Sequence, residues 1–164
     1  MLTTLPRTLS APWPTVTPAV ATRTETRTTD GPPAVELRDE PRRRVLCIDD
    51  DEEARFLLSA YFSLVAGIDL IVAGTLEDGA RLLTAPAPHV VLLDTEIAGH
   101  STERFVSSIV GARNPPVVIV SADVRETTVH RFRDCGVRAY QPKPVDLRQL
   151  SGVIQNLACS VGPK

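Results

Sequence analysis

Four short apolar runs in this 164-residue chain each end at a residue that can bind a phosphoryl group or a metal ion. The runs cover residues 45–48, 90–93, 117–120 and 139–142. The polar residues that follow them are Asp49 with Asp50, then Asp94, Ser121 and Lys143. A run that is apolar on both faces is typical of a strand buried in a parallel sheet. Because such a sheet binds ligands at the carboxyl ends of its strands, these side chains are expected to converge on one site.

From residue 42 onward, strand-like and helix-like patterns alternate along the chain. The short connections between them predict right-handed crossovers, with helices on both faces of the sheet. Strands are predicted at 44–49, 69–73, 89–94, 117–121 and 137–142, and helices begin near residues 52, 75, 101, 123 and 146. The predicted fold class is therefore α/β, a doubly wound five-stranded parallel sheet with the strand order 2-1-3-4-5.

Local signals refine three of these helices. Helix four is expected to start at Asp123, because Glu126 three residues later resembles a capping box, and to end at Gly136. Asp146 with Gln149 gives helix five a similar start. Helix one is expected to reach residue 65 and to bury one wide apolar face. That face comprises Leu57, Leu58, Tyr61, Phe62, Leu64 and Val65.

Residues 1–41 differ in composition from the rest of the chain, since they hold seven of the fourteen prolines and a run of threonines. Such a segment buries too little apolar surface to offset its conformational entropy. We therefore expect a disordered tail over 1–41, one folded domain over 42–160 and a short C-terminal end over 161–164.

Charge and cysteine content narrow the functional class. A net charge of −2 favours neither a nucleic-acid binder nor a membrane-surface protein. No apolar stretch approaches the roughly 20 residues that span a bilayer, so no membrane association is expected. Cys47, Cys135 and Cys159 lack paired spacing, which indicates free thiols in a reducing cytoplasm.

The strand-end residues lie in four sequence motifs that resemble one family. The motifs are V-L-C-I-D-D-D-E, V-V-L-L-D-T-E-I-A-G, V-V-I-V-S-A-D and A-Y-Q-P-K-P. Their order, an acid pair, a lone Asp, a hydroxyl and a Lys-Pro, resembles the receiver domain of two-component response regulators over about residues 43–160. The resemblance implies a flavodoxin-like receiver fold. It also implies that Asp94 accepts a phosphoryl group from a sensor histidine kinase or a histidine phosphotransfer protein.

The acids in these motifs suit that chemistry. A carboxylate such as that of Asp94 can attack phosphorus and form an acyl phosphate. Asp49 and Asp50 would join Asp94 in an oxygen-only site suited to Mg²⁺. The resemblance adds the main-chain carbonyl of Glu96 as a further metal ligand.

The remaining motif residues would bind the phosphoryl group and respond to it. Lys143 would approach one phosphoryl oxygen as a point charge, and the Ser121 hydroxyl would donate to another. The resemblance makes Ser121 and Tyr140 the switch, with Tyr140 rotating inward after phosphorylation. It also makes the peptide bond between Lys143 and Pro144 a candidate for the cis form.

The chain departs from the family pattern at several positions. Ala98 stands where the family usually has proline, although Gly99 after it is kept, and Ser121 replaces the commoner threonine. Glu96 and Asp123 occupy the two positions that tune loss of the phosphoryl group in the family.

Two other functions compete with this interpretation. One is a receiver-like scaffold that is never phosphorylated. The other is a phosphatase resembling the haloacid dehalogenases, because Asp94-Thr95-Glu96 echoes their D-x-D motif. In those enzymes, however, the acid pair follows the lysine, whereas Asp49 and Asp50 precede it here.

The expected output is a binding event rather than turnover or direct DNA binding, because few residues follow helix five. The protein would be no enzyme beyond its own phosphorylation and dephosphorylation. Its phosphorylated form would be recognised by a downstream protein, or by a second copy in a homodimer. The resemblance locates this surface on helix four, strand five and helix five, where the basic residues are Arg125, Arg131, Arg138 and Arg148.

Overall fold

A computed structural model describes residues 42–84, 86–98, 101–111 and 114–160 of the chain. The predicted tail over 1–41, the end over 161–164 and Gly99 lie outside these residues. The strands are β1 Arg43–Ile48, β2 Ile68–Ala73, β3 Val90–Asp94, β4 Val117–Ser121 and β5 Ala139–Pro142. The helices are α1 Glu52–Ser63, α2 Leu76–Leu82, α3 Thr102–Ile109, α4 Glu126–Asp134 and α5 Leu147–Ser160.

The five strands form one parallel sheet in the order β2-β1-β3-β4-β5, which confirms the predicted topology. The register aligns the carboxyl ends of the central strands, since Ile48 pairs with Leu93 and Asp94 pairs with Val120. The residues that follow β1 and β3 therefore meet at the same edge of the sheet, as the sequence predicts.

The core consists of two apolar layers, one on each face of the sheet. Leu46 and Ile48 of β1 pack in the layer that α2, α3 and α4 cover. Val45 and Cys47 point to the other face and pack with α1 and α5. This alternation along a buried strand explains why β1 is apolar at every position from Val45 to Ile48.

Helix α1 buries a narrower face than the sequence predicts. Leu58 and Phe62 are buried, and Tyr61 and Val65 pack partly against the same layer. The predictions for Leu57 and Leu64 are wrong, because these side chains are 59% and 87% exposed. The apolar stripe that a helix turns to the core is about 100° wide, and Leu57 and Leu64 lie outside that stripe on α1. Helix α1 also ends at Ser63, two residues earlier than expected.

Helix α4 begins at Glu126 and not at Asp123, so the predicted capping box is wrong. The reason is that the Asp123 carbonyl accepts a hydrogen bond from the Tyr140 hydroxyl instead of from a helical N–H. The predicted end at Gly136 is confirmed, since this residue has a φ of +90°. The predicted start of α5 is also confirmed, because Asp146 Oδ1 accepts the N–H groups of Arg148 and Gln149.

Strand β5 starts at Ala139, two residues later than predicted. The N–H of Val137 still donates to the carbonyl of Phe132 in the turn that ends α4, so Val137 is not available to the sheet. Within the described ranges, no helix has the length and the apolar composition that crossing a bilayer requires.

Candidate functional site

Three carboxylates meet at the carboxyl edge of the sheet, as the strand-end pattern predicts. Asp49 and Asp50 follow β1, and Asp94 ends β3. One oxygen from each of these side chains lies within 4.8 Å of the others. Asp49 and Asp94 are 2% and 6% exposed, whereas Asp50 faces solvent. Oxygen-only donor sets of this kind suit Mg²⁺, so the residues present fit the cation that the resemblance implies.

Lys143 lies over the two buried acids of this cluster. Its Nζ donates to Asp94 Oδ2 at 2.8 Å and to Asp49 Oδ2 at 3.0 Å. Its own N–H donates to the carbonyl of Ser121 at 2.8 Å, which ties the residue after β5 to the end of β4. The cis peptide bond expected between Lys143 and Pro144 is present. One ammonium therefore pairs with two of the three carboxylates, and the cluster keeps an excess of negative charge that favours a cation.

Burial and neighbouring charges shift the pKa values of Asp49 and Lys143. Burial raises the pKa of Asp49 above its usual value, and the neighbouring Asp94 adds to this, although Asp51 N–H and Lys143 oppose it. Burial by itself would lower the pKa of Lys143, but the hydrogen bonds to Asp94 and Asp49 outweigh it and raise the pKa. The pKa of Asp49 stays raised in spite of this pairing, because Asp49 is deeply buried and lies beside a like charge.

The turn between β1 and α1 holds Asp49 in place. The N–H of Asp51 donates to Asp49 Oδ1 at 3.0 Å, and Asp51 then caps α1 by accepting the N–H of Glu53. The guanidinium of Arg55 donates to the Asp49 carbonyl at 2.7 Å. No role for Arg55 was predicted from the sequence. Its position one turn into the helix that follows the acid pair was the only available signal.

The loop after β3 is bonded to the same acids. The N–H of Glu96 donates to Asp94 Oδ1 at 3.2 Å, which brings the backbone of Glu96 beside the proposed acceptor. The N–H of Ala98 donates to Asp50 Oδ2 at 3.0 Å. A proline at position 98 has no N–H and could not make this bond. The departure from the family pattern at Ala98 therefore adds a contact between the loop and Asp50.

The hydroxyl of Ser121 lies at the end of β4, and its side chain is fully buried. Its Oγ lies 2.5 Å from Thr95 Oγ1, with either hydroxyl able to donate, and it accepts the N–H of Asp123 at 3.0 Å. No role for Thr95 was predicted from the sequence. The available signal was a second hydroxyl residue directly after the strand-end Asp94.

Tyr140 points inward in this structure, and its predicted rotation on phosphorylation stays a prediction. The ring is 7% exposed and lies 6.3 Å from that of Phe132, between centroids. Its hydroxyl donates to the Asp123 carbonyl at 2.5 Å. Burial raises the pKa of the Tyr140 phenol above its usual value.

Asp123 links the end of β4 to α4. Its carboxylate accepts from the guanidinium of Arg125 at 2.9 and 2.6 Å and from the hydroxyl of Thr128 at 2.9 Å. These hydrogen bonds, above all those from Arg125, hold the pKa of Asp123 well below its usual value. Asp123 is therefore engaged with α4 and does not extend the acid cluster.

The sequence is similar to response regulators. The family model described as "Response regulator receiver domain" matches residues 45–155. The regulatory protein VirG of Agrobacterium tumefaciens is 26% identical over 114 residues, which cover 69% of this chain and 42% of VirG. The transcriptional regulatory protein PdtaR of Mycobacterium tuberculosis is 28% identical over 114 residues, which cover 69% of this chain and 55% of PdtaR. The chain thus spans about half the length of these curated relatives.

Solved structures share the fold. The receiver domain of the Francisella response regulator 1452 aligns with a TM-score of 0.67 and 22% identity, covering 74% of this chain and all of that one (100%). A response regulator receiver protein from Pseudomonas putida aligns with a TM-score of 0.64 and 24% identity, covering 70% of this chain and 97% of that one.

Proposed function

This chain belongs to the family of response regulator receiver domains, and we propose that its Asp94 accepts a phosphoryl group from a histidine kinase or a histidine phosphotransfer protein. Phosphorylation on aspartate and the binding of Mg²⁺ in an acidic pocket are characteristic of the family. One observation carries the proposal for this chain. The buried Asp94 carboxylate lies within 4.8 Å of two further carboxylates and 2.8 Å from the Lys143 ammonium.

The proposed step is a transfer between two side chains. A carboxylate oxygen of Asp94 attacks the phosphorus of a phosphohistidine, the P–N bond breaks, and its electron pair stays on the imidazole nitrogen. Asp49, Asp50 and Asp94, with the Glu96 carbonyl, would hold the Mg²⁺. When bound, that cation supplies positive charge against the incoming phosphoryl oxygens.

Lys143 and Ser121 would support this step by interacting with the phosphoryl group itself. The Lys143 ammonium is 2.8 Å from Asp94 Oδ2, so it is placed to neutralise charge on the acyl phosphate. Ser121 carries the buried hydroxyl that would donate to a phosphoryl oxygen. Receiver domains are generally signalling domains without turnover, and we propose the same here, with self-dephosphorylation as the only hydrolytic activity.

The output is proposed to be phosphorylation-dependent binding of a downstream protein at the surface formed by α4, β5 and α5. Three hydrogen bonds support this surface. Ser121 Oγ accepts the N–H of Asp123, and the Asp123 carboxylate accepts from Arg125 and Thr128 at the start of α4. A movement of Ser121 would therefore reach Thr128 of α4 through Asp123. The same surface would serve a homodimer, and we propose no direct DNA binding by this domain.

We place the protein in the cytoplasm, where phosphotransfer from a kinase would occur. The cysteines support a reducing compartment, since Cys47, Cys135 and Cys159 are all free thiols.

Intact-protein mass spectrometry tests the phosphoacceptor. Acetyl phosphate with Mg²⁺ should add one phosphoryl group to the wild-type protein, and a chelator should abolish the addition. Asp94→Asn should remain unlabelled, whereas the matched control Asp78→Asn, which changes an exposed acid of α2, should label as wild type does. Labelling of Asp94→Asn would refute the assignment. An unlabelled wild type would favour the scaffold, and turnover of a small phosphate ester would favour the phosphatase.

A further inference from the structure

The Thr95 hydroxyl is in direct contact with the Ser121 hydroxyl. The two oxygens are 2.5 Å apart, and Ser121 is fully buried. Thr95 is half-buried in the loop between β3 and α3, directly after the proposed acceptor. Its backbone is fixed as well, because the Thr102 hydroxyl at the start of α3 donates to the Thr95 carbonyl at 3.0 Å. Thr95 is thus held against Ser121 by its own local structure.

The hydrogen bonds around Ser121 depend on which hydroxyl donates. A serine hydroxyl has one proton to donate and two lone pairs that can accept. One lone pair already accepts the N–H of Asp123 at 3.0 Å. If Thr95 donates to the other lone pair, the bond between the two hydroxyls does not use the Ser121 proton, which can then be donated to a phosphoryl oxygen. If Ser121 donates to Thr95 instead, that proton is occupied.

The contact with Thr95 is more important for a serine at position 121 than it would be for a threonine. A threonine has one or two preferred χ1 rotamers because its β-carbon carries two heavy atoms, whereas a serine lacks that restriction. The Ser121 side chain therefore has no methyl group to fix its direction. A partner hydroxyl at hydrogen-bonding distance supplies that restraint from outside.

We propose that Thr95 is a positioning residue, whose hydroxyl orients the Ser121 hydroxyl so that it donates its proton to the phosphoryl group on Asp94. Thr95 acts through Ser121 and does not itself bind the phosphoryl group. The inference rests on the proposed function, because it requires a phosphoryl group at Asp94.

The test is a titration with beryllofluoride, a phosphoryl mimic, in the presence of Mg²⁺. Amide resonances of residues 121–150 report binding in wild type, Thr95→Val and Thr95→Ser. Thr95→Val keeps the shape of the side chain and removes the hydroxyl, so the affinity for beryllofluoride should fall about fivefold, the change expected for one neutral hydrogen bond. Thr95→Ser keeps the hydroxyl and should bind within about twofold of wild type.

A second pair of variants tests whether Thr95 acts through Ser121. In a Ser121→Ala background, Thr95→Val should cause no further loss, because the hydroxyl that it orients is gone. Thermal unfolding of each variant, measured in parallel, separates this effect from general destabilisation, which would lower the affinity in both backgrounds.

Each outcome decides between the proposals. Unchanged affinity in Thr95→Val, with a wild type that binds, would overturn the role of Thr95 and leave the proposed function intact. An equal loss in both backgrounds would also overturn it, because Thr95 would then act independently of Ser121. A wild type that binds no beryllofluoride would overturn the proposed function and this inference with it.

Discussion

Replacing Lys143 with methionine should destabilise the fold by about 3 kcal/mol at neutral pH in the presence of a chelator. Methionine keeps the length of the side chain and removes its charge. The ammonium makes two charge-assisted hydrogen bonds, at 2.8 and 3.0 Å, to acids whose side chains are 7% and 2% exposed. Removing one member of a buried ion pair costs about 3–5 kcal/mol, since the other charges stay buried. We take the lower end because the Lys143 side chain is itself 26% exposed to solvent.

Thermal unfolding followed by circular dichroism measures this change. For a domain of roughly 120 residues, about 3 kcal/mol corresponds to a melting temperature roughly 12 °C lower. Adding Mg²⁺ should raise the melting temperature of the variant more than that of wild type, because the unneutralised acids bind the cation more tightly. Lys143→Arg, which keeps the charge, is the matched control and should recover part of the loss.

The loss of stability in Lys143→Met should also depend on pH in a defined direction. Burial raises the pKa of Asp49, so its ionised form destabilises the folded state above that pKa, and the penalty disappears as the pH falls toward the ordinary carboxyl range. The gap between Lys143→Met and wild type should therefore narrow between about pH 7 and pH 4. The ionisation of Lys143 lies outside this window, because its pKa is raised from an already high value. A variant that melts within about 2 °C of wild type at pH 7 in chelator would refute the reasoning.

Two further predictions concern packing and burial. Gly79→Ala should lower the free energy of unfolding by about 1–3 kcal/mol, because its Cβ would lie 2.4 Å from Cδ1 of the buried Ile48. The matched change Gly152→Ala, whose Cβ would meet nothing within 4 Å, should raise it by about 0.5–1 kcal/mol; shifts of the same sign in urea titrations would contradict this. Iodoacetamide at pH 8 should alkylate the exposed Cys159 and spare Cys47, since burial raises the pKa of the Cys47 thiol to about 12. Equal labelling rates in the native protein would show that Cys47 is accessible.

The strand order and the convergence of the acids could be predicted because both follow from patterns of apolar and polar residues along the sequence. Each buried strand is a continuous apolar run, and the residue after it must lie at the same edge as its neighbours. The positions of Asp49, Asp94 and Ser121 could therefore be predicted without knowing the conformation of any loop. The cap of α5 at Asp146 was equally local, because Asp146 and the N–H groups that it accepts are within three residues.

The contacts that the sequence did not reveal depend on loop conformation and on competition between partners. The sequence pattern at Asp123 is typical of a helix cap. In the structure, however, the hydroxyl of Tyr140, seventeen residues away, donates to the Asp123 carbonyl, and Arg125 donates to the Asp123 carboxylate. The pairing of Thr95 with Ser121 joins loops that are 26 residues apart in the chain. No periodicity encodes such contacts. They form only after the sheet has brought the loops together.

The bond from Ala98 to Asp50 bears on how selective the proposed cation site would be. In a loop that becomes ordered only around the ion, each residue fixed on binding weakens the affinity by about 1–2 kcal/mol of lost entropy. Here Ala98 is already tied to the Asp50 carboxylate by a 3.0 Å hydrogen bond, so the entropy of this residue is lost during folding. A preorganised cage also adapts poorly to ions of other radii. Mg²⁺ requires oxygen ligands at short, nearly octahedral distances, whereas Ca²⁺ accepts longer and more variable ones. Carboxylates that are held by hydrogen bonds before the ion binds should therefore discriminate between these ions by size.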